Sequence, residues 1–311
     1  MKLSIVTTLY QSAAYIAEFH RRAAAAARAL AGEDFEIVFV NDGSPDHSLD
    51  VAVELTKADS HVVVVDLSRN FGHHKALMTG LAHARGDLVY LVDSDLEEEP
   101  EWLLHFASRM SEERSDVVYG VQEQRKGGWF ERVTGSIFYK VFRALTGISQ
   151  PDNIVTARLM TRRYVKSLLL HLEREINIGG LWIITGFKQV AEQVRKHDSS
   201  PTTYTLSRKF SHLVNAVTSF SSRPLVFTFY AGLLISASAM LYIAYLLLRY
   251  FFISMPPSGY TSLIASIWLF SGLIIFFLGV QGIYLSKIFS EVKQRPYTIV
   301  SQVYEHRHPQ D

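Results

Sequence analysis

Short apolar runs recur along the first 120 residues: 3–8 (LSIVTT), 35–40 (FEIVFV), 61–66 (HVVVVD), 88–92 (LVYLV) and 116–120 (DVVYG). Each has the length of a buried strand. Between them lie helix-like stretches at about 13–31, 47–58, 73–84 and 100–112, the first Ala-rich and ending at Gly32. Strands alternating with helices predict an α/β fold, a mainly parallel sheet covered on both faces. Ligands bind such sheets beyond the carboxyl ends of the strands. Thr8 and Tyr10 follow the first run, Asp42 the second, Ser68-Arg69-Asn70 the third, and Asp93 with Asp95 the fourth. One edge of the sheet is therefore expected to collect them. No G-x-G-x-x-G follows the first run, which disfavours a dinucleotide fold, and the absence of G-x-x-x-x-G-K-[ST] excludes a P-loop.

Later in the chain the pattern changes. No charged residue falls between Arg223 and Arg249, or between Arg249 and Lys287. Residues 225–248 and about 260–286 are long enough to cross a ~30 Å hydrocarbon core as helices at ~1.5 Å per residue. The loop at 251–259 lacks Lys and Arg, whereas Arg208, Lys209, Arg223, Lys287, Lys293 and Arg295 flank the other ends. The positive-inside rule then puts both chain ends in the cytoplasm, with Arg249 as the exception. Two further stretches, about 128–146 and 206–222, carry apolar and aromatic residues on one helical face. The first reads equally as an interfacial membrane helix or as a helix on the sheet; the second, next to the membrane, favours the interfacial reading. The resulting organisation is a cytoplasmic α/β domain over 1–222, two spans within 224–286 and a polar cytoplasmic tail at 287–311.

Composition adds three exclusions. A formal net charge of +1 over 311 residues gives no drive toward nucleic acid. With no Cys, disulfides and thiolate metal sites are ruled out. The N-terminus MKLSIVTTLY has no long apolar segment of the signal-peptide kind.

The stretch 88–100, LVYLVDSDLEEEP, carries the most chemistry. Asp93 and Asp95 are two apart, so in extended backbone their side chains leave on one side. Carboxylates that close repel unless a cation or a shared proton lies between them. Hard oxygen ligands suit Mg²⁺ or Mn²⁺, which would in turn hold a substrate diphosphate. The bland alternative is a solvated acidic turn. Glu97, Glu98 and Glu99 read as carboxylates drawn to a helix N-terminus by its dipole.

SIVTTLY, FVNDGSPDHS, LSRNFGHHKALMTGLAHARGD, LVDSDLEEEPE and VVYGVQEQR, in this order and spacing, resemble the Rossmann-like GT-A domain of family 2 glycosyltransferases. More narrowly they resemble the polyprenyl-phosphate hexosyltransferase branch, akin to dolichyl-phosphate mannose synthase and bactoprenol glucosyltransferases. TSFSSRPL ahead of two membrane spans is also typical of that branch. The resemblance covers nearly the whole chain. It implies transfer from a nucleotide-diphosphate sugar, a UDP-sugar in preference, to undecaprenyl phosphate or a related polyprenyl phosphate. The transfer would take place at the cytoplasmic face of a bacterial inner membrane, for cell-envelope glycan synthesis. Thr8, Tyr10 and Asp42 match positions that hold the nucleoside. Asp93 and Asp95 match the aspartates that handle diphosphate and metal, and Arg69 and Asn70 the stretch that shapes the donor pocket. The chain departs from the branch in three places, one being DSDLEEEPE, more acidic than the expected DADLQDPPE form. An Asp-Phe-Arg-Leu run is replaced by Thr156-Ala157-Arg158-Leu159, and a Gly-x-Ser-Lys-Tyr-Ser run by 201–209 (PTTYTLSRK). Two-span proteins of this type often associate, so a homo-oligomer is an open reading.

A diphosphate leaving group needs its growing charge neutralised, which a cation on Asp93 and Asp95 can do. A phosphate nucleophile is already ionised and needs no general base, which accounts for Thr156 where relatives carry Asp. An acceptor monophosphate does need cations, for which Arg158, Arg208 and Lys209 are candidates. Attack opposite the leaving group predicts inversion at the anomeric carbon. Each residue has a plainer role. Asp42 would cap a helix, Arg158 would be a structural ion-pair partner, Arg208 and Lys209 would anchor at the membrane, and His73 and His74 would sit exposed at a helix start. Two competing readings remain: a hydroxyl acceptor on a lipid-linked glycan, which would need a base near Asp95, and a catalytically silent nucleotide-sugar-binding scaffold.

Overall fold

The computed structural model describes residues 2–122, 144–146, 153–174, 176–196, 214, 217–253 and 259–306. The chain forms two compact units: Met1–Lys140, Ile148–Thr205 and Arg295–Asp311 make the first, Val141–Gly147 and Leu206–Gln294 the second.

The first unit begins with the expected alternation: β1 (Leu3–Leu9), α1 (Ile16–Ala31), β2 (Phe35–Asn41), α2 (Ser48–Ala58), β3 (Val62–Leu67), α3 (His73–His83), β4 (Leu88–Leu91), α4 (Trp102–Glu113) and β5 (Val117–Gln122). It continues with β6 (Ile154–Thr161), α5 (Arg162–Leu168), α6 (Ile178–Ile184) and β7 (Gln189–Val194). One sheet of eight strands results, in the order β7-β5-β6-β4-β1-β2-β3-β8, where β8 is Val300–Glu305. Six strands run parallel. β6 and β8 run against their neighbours.

β1 and β2 are buried along their whole length, so both faces need cover. On one face α1 sets Phe19, Ala23 and Ala27 against Leu3, Ile5, Phe35, Ile37 and Phe39, while α4 adds Leu103 and Phe106 beside Tyr90. Each fully buried large side chain contributes about 1.5–3 kcal/mol. The alanines let α1 approach the sheet closely. On the other face Gly80 of α3 allows a comparable approach: a Cβ there would meet Val6 Cγ1 at 2.5 Å and Val40 Cγ2 at 2.8 Å.

β8 corrects the view of 287–311 as a polar tail. Val300–Glu305 pairs antiparallel with β3, Arg85 pairs with Glu305, and Thr298 hydrogen-bonds Thr79 at 2.8 Å. Its alternation is weak and half exposed, as befits an edge strand, so hydrophobic pattern alone does not reveal it.

The second unit holds α7 (Arg223–Ile253) and α8 (Tyr260–Val292). Both are long and apolar enough to cross a membrane, over Arg223–Tyr242 and Ser266–Val292, and neither window is buried by protein. The expected interfacial helix at 128–146 lies almost wholly outside the described residues, as does the first part of 206–222.

Candidate active site

The carboxyl ends of β1, β2, β3 and β4 share one edge of the sheet, with Leu9 opposite Asn41 and Asn41 opposite Asp66 in register. Thr8 lies at the end of β1. Its hydroxyl is 3.1 Å from His73 Nδ1, and the other ring nitrogen, Nε2, is 3.7 Å from Asp93 Oδ1. A short polar chain therefore joins the ends of β1 and β4 through the first residue of α3. His73 is exposed at the start of α3, as expected, yet its ring reaches both Thr8 and Asp93 and so belongs to the site. Its place at the start of the helix after SRNFG is the one sign of this in the sequence.

Asp42 neither caps α2 nor lies open to the edge. It is 3% exposed, and its two oxygens accept the Phe71 N–H at 2.7 Å and the Gly72 N–H at 3.0 Å. Burial raises its pKa, and those two N–H groups oppose the rise. The same turn brings Gly43 against the loop at left-handed φ of 58°; a Cβ there would lie 2.4 Å from Arg69 C and Asn70 N. The 69–72 loop is thus set by the turn after β2. Arg69 and Asn70 are exposed on it, with the Arg69 guanidinium 4.2 Å from the Phe71 ring centroid. Tyr10, 49% exposed, stands on the turn after β1.

The acidic stretch after β4 turns back sharply. Leu96 adopts left-handed φ of 64°, and Asp95 Oδ1 accepts the Glu97 N–H at 3.0 Å. Ser94 donates to the Thr8 carbonyl at 2.9 Å, tying this turn to β1. The buried Oδ1 of Asp93 has no hydrogen bond. Burial pushes Asp93 up to about 6, opposed by Lys196 and Thr156 and helped by the negative charges of Asp95 and Glu97. A buried carboxylate oxygen without a hydrogen bond, close to Asp95 and Glu97, is what a cation or a substrate proton would satisfy. Among the described residues no group of three or more His, Asp or Glu gathers as a metal cage.

Glu98 corrects the expectation of a dipole-favoured carboxylate. It is fully buried; Oε1 accepts the Thr156 N–H at 3.1 Å, Oε2 the Ala157 N–H at 2.7 Å, and Lys196 Nζ lies 2.8 Å from Oε1. Burial and the Asp93 charge raise it to about 7, against the pull of Lys196. Lys196 follows β7, a strand the hydrophobic pattern does not reveal, so its arrival here is not legible in the sequence.

Arg158, expected on a phosphate, is 1% exposed on β6. Its guanidinium donates to the carbonyls of Thr156 at 3.3 Å and Val155 at 3.5 Å and lies over the Trp182 ring. No described carboxylate is within ion-pair distance of it, so the structural ion-pair alternative does not hold among the described residues. Burial lowers its pKa to about 9, which leaves it cationic at neutral pH. It lines a cavity of about 240 Å³ with Tyr119, Ile154, Trp182 and Phe187. Arg208 and Lys209 lie outside the described residues.

Residues 4–169 match the Glycosyl transferase family 2 model. The chain belongs to glycosyl transferase family 2, and is a transferase. It is 50% identical over 307 residues to a Mycobacterium tuberculosis (strain CDC 1551 / Oshkosh) protein, covering 98% of this chain and 89% of that one. It is 31% identical over 305 residues to the SfII prophage-derived bactoprenol glucosyl transferase of Shigella flexneri, covering 97% and 98%. Glucosyl-3-phosphoglycerate synthase from Mycobacterium tuberculosis, solved with Mn²⁺, UDP and glucosyl-3-phosphoglycerate, gives a TM-score of 0.49 at 19% identity over 70% of this chain and 80% of that one. The family membership expected from the motifs is therefore borne out.

Proposed function

We propose that this family 2 glycosyltransferase moves a sugar from a nucleotide-diphosphate sugar, a UDP-sugar in preference, to a polyprenyl phosphate at the cytoplasmic face of a bacterial inner membrane. The observation that carries this is the bare, buried Asp93 oxygen beside Asp95, set among Thr8, His73 and the 69–72 loop at one sheet edge. The full-length likeness to a bactoprenol glucosyl transferase supports the lipid phosphate as acceptor, and α7 and α8 support anchoring as two spans.

In this reading Thr8, Tyr10, Arg69 and Asn70 hold the nucleoside and Asp42 fixes their loop. Asp93 and Asp95 face the diphosphate. Their oxygen-only donor set suits Mg²⁺ or Mn²⁺, which the two carboxylates would hold. A divalent ion bound there supplies charge neutralisation for the leaving group. A threonine hydroxyl is not a general base at neutral pH, and an ionised phosphate acceptor needs none. Arg208 and Lys209 would meet the acceptor's charge, and attack from the face opposite the diphosphate would invert the anomeric carbon.

A thermal-shift panel of UDP-, GDP- and CMP-sugars with Mn²⁺ tests the donor. A rise in melting temperature with UDP-sugars is expected; no response to any nucleotide sugar would refute the reading.

A further inference from the structure

We propose that Glu98 is a positioning residue. Together with Lys196 it clamps the acidic turn, the start of β6 and the end of β7 into one piece, and so fixes the turn that carries Asp93 and Asp95. The proposal deepens the transferase reading and rests on it only for its kinetic arm.

Three segments far apart in sequence meet on this one carboxylate. Oε1 and Oε2 each take a backbone N–H from consecutive residues, Thr156 and Ala157, at 3.1 and 2.7 Å. Lys196 closes the third side at 2.8 Å from Oε1 and reaches toward Glu97 at 3.7 Å. The order of dependence is therefore Lys196 to Glu98, and Glu98 to the backbone of Thr156 and Ala157.

A fully buried carboxylate costs several kcal/mol to desolvate, and a buried ion pair is a poor way to stabilise a fold. An apolar residue of similar volume would fill the space. It would not pull two adjacent N–H groups to a fixed point next to a catalytic carboxylate. The charge-assisted bonds are short and directional, which suits them to hold geometry. Lys196 also counters the repulsion among Asp93, Asp95, Glu97 and Glu98, so the acidic turn keeps its shape before any substrate arrives.

The test is a double-mutant cycle in the full chain, Glu98→Gln with Lys196→Met, and Lys196→Arg as the conservative variant. With a UDP-sugar and undecaprenyl phosphate, Glu98→Gln lowers kcat by about 10–100-fold, the size seen when a partner that orients a catalytic ligand is removed. Donor KM changes far less, since the geometry lost matters at the reaction rather than at donor binding. Lys196→Met falls with it, the double variant falls no further than either single one, and Lys196→Arg keeps most of the rate. A Glu98→Gln enzyme with near wild-type kcat, or single effects that multiply, overturns the clamp. A second arm needs no substrate. Amide exchange at Thr156 and Ala157 rises sharply in Glu98→Gln while exchange in β1 and β2 stays unchanged; equal exchange at Thr156 and Ala157 overturns the clamp. If Glu98→Gln does not fold, Lys196→Arg against Lys196→Met decides by both readouts, and equal behaviour of the two refutes the proposal. A wild-type chain inactive on every donor would count against the transferase reading, while the exchange arm still decides the clamp.

Discussion

Asp42→Asn measures how much of the donor pocket hangs on one buried side chain. The carboxylate gives one oxygen to Phe71 and the other to Gly72. Asparagine keeps the shape but turns one acceptor into an N–H₂ that faces an N–H. One loop donor is then buried without a partner, at a cost of about 1–3 kcal/mol. The surviving bond loses its charge assistance, about 1 kcal/mol more. Removing a charge that burial already disfavours returns part of this. The balance is about 2 kcal/mol, or on the order of 30-fold in an equilibrium constant. Because only the 71–72 backbone depends on these bonds, the loss is felt in the loop. Titration calorimetry of UDP with Mn²⁺ on the full chain should show affinity falling by about that factor. Exchange of the Phe71 and Gly72 amides should quicken in the ligand-free protein, which separates loop support from direct nucleoside contact. UDP affinity within about twofold of wild type, a difference of about 0.4 kcal/mol, with unchanged exchange would refute the reasoning.

Three further outcomes follow from the same geometry. Asp93→Asn should abolish transfer yet stabilise the metal-free protein at neutral pH. Asp93 is raised from 3.8 to about 6, so folding takes up a proton between those values and wild type loses stability relative to the variant as pH rises through that window; equal denaturation curves at pH 4 and pH 7 would contradict this. Gly43→Ala should cost at least ~1–2 kcal/mol from its left-handed backbone alone, with more from the Cβ pressed on Arg69 and Asn70, and a melting temperature equal to wild type would refute it. Removing residues 300–306 should lower the melting temperature and promote aggregation by baring the β3 edge; a truncated chain that melts like wild type and stays monodisperse would show that β8 is dispensable.

The parallel half of the fold is legible in the sequence because its strands are buried on both faces and read as continuous apolar runs. β6, β7 and β8 are not. β7 and β8 carry Gln and Glu and lie at or near the sheet edges, where one face meets water. The two aspartates are legible from spacing, and Thr8 joins them through His73 as their shared edge predicts. Asp42 stands at the expected turn but does something else there, because a carboxylate that closely follows a strand reads alike whether it faces a ligand or pins a loop. Glu98 is hidden by its neighbours Glu97 and Glu99, which make an acidic run, and a run gives no sign of which member turns inward. The turn at Leu96 decides that, through a left-handed backbone that leucine rarely adopts and that packing against the core holds in place. Lys196 can be placed only once β7 is known.

The most direct test is product analysis with a radiolabelled UDP-sugar offered undecaprenyl phosphate and, separately, a lipid-linked glycan. The account predicts UDP release with the sugar on the lipid phosphate in the anomeric configuration opposite to the donor's. Label found only on the glycan hydroxyl, or a product that keeps the donor's configuration, would contradict it.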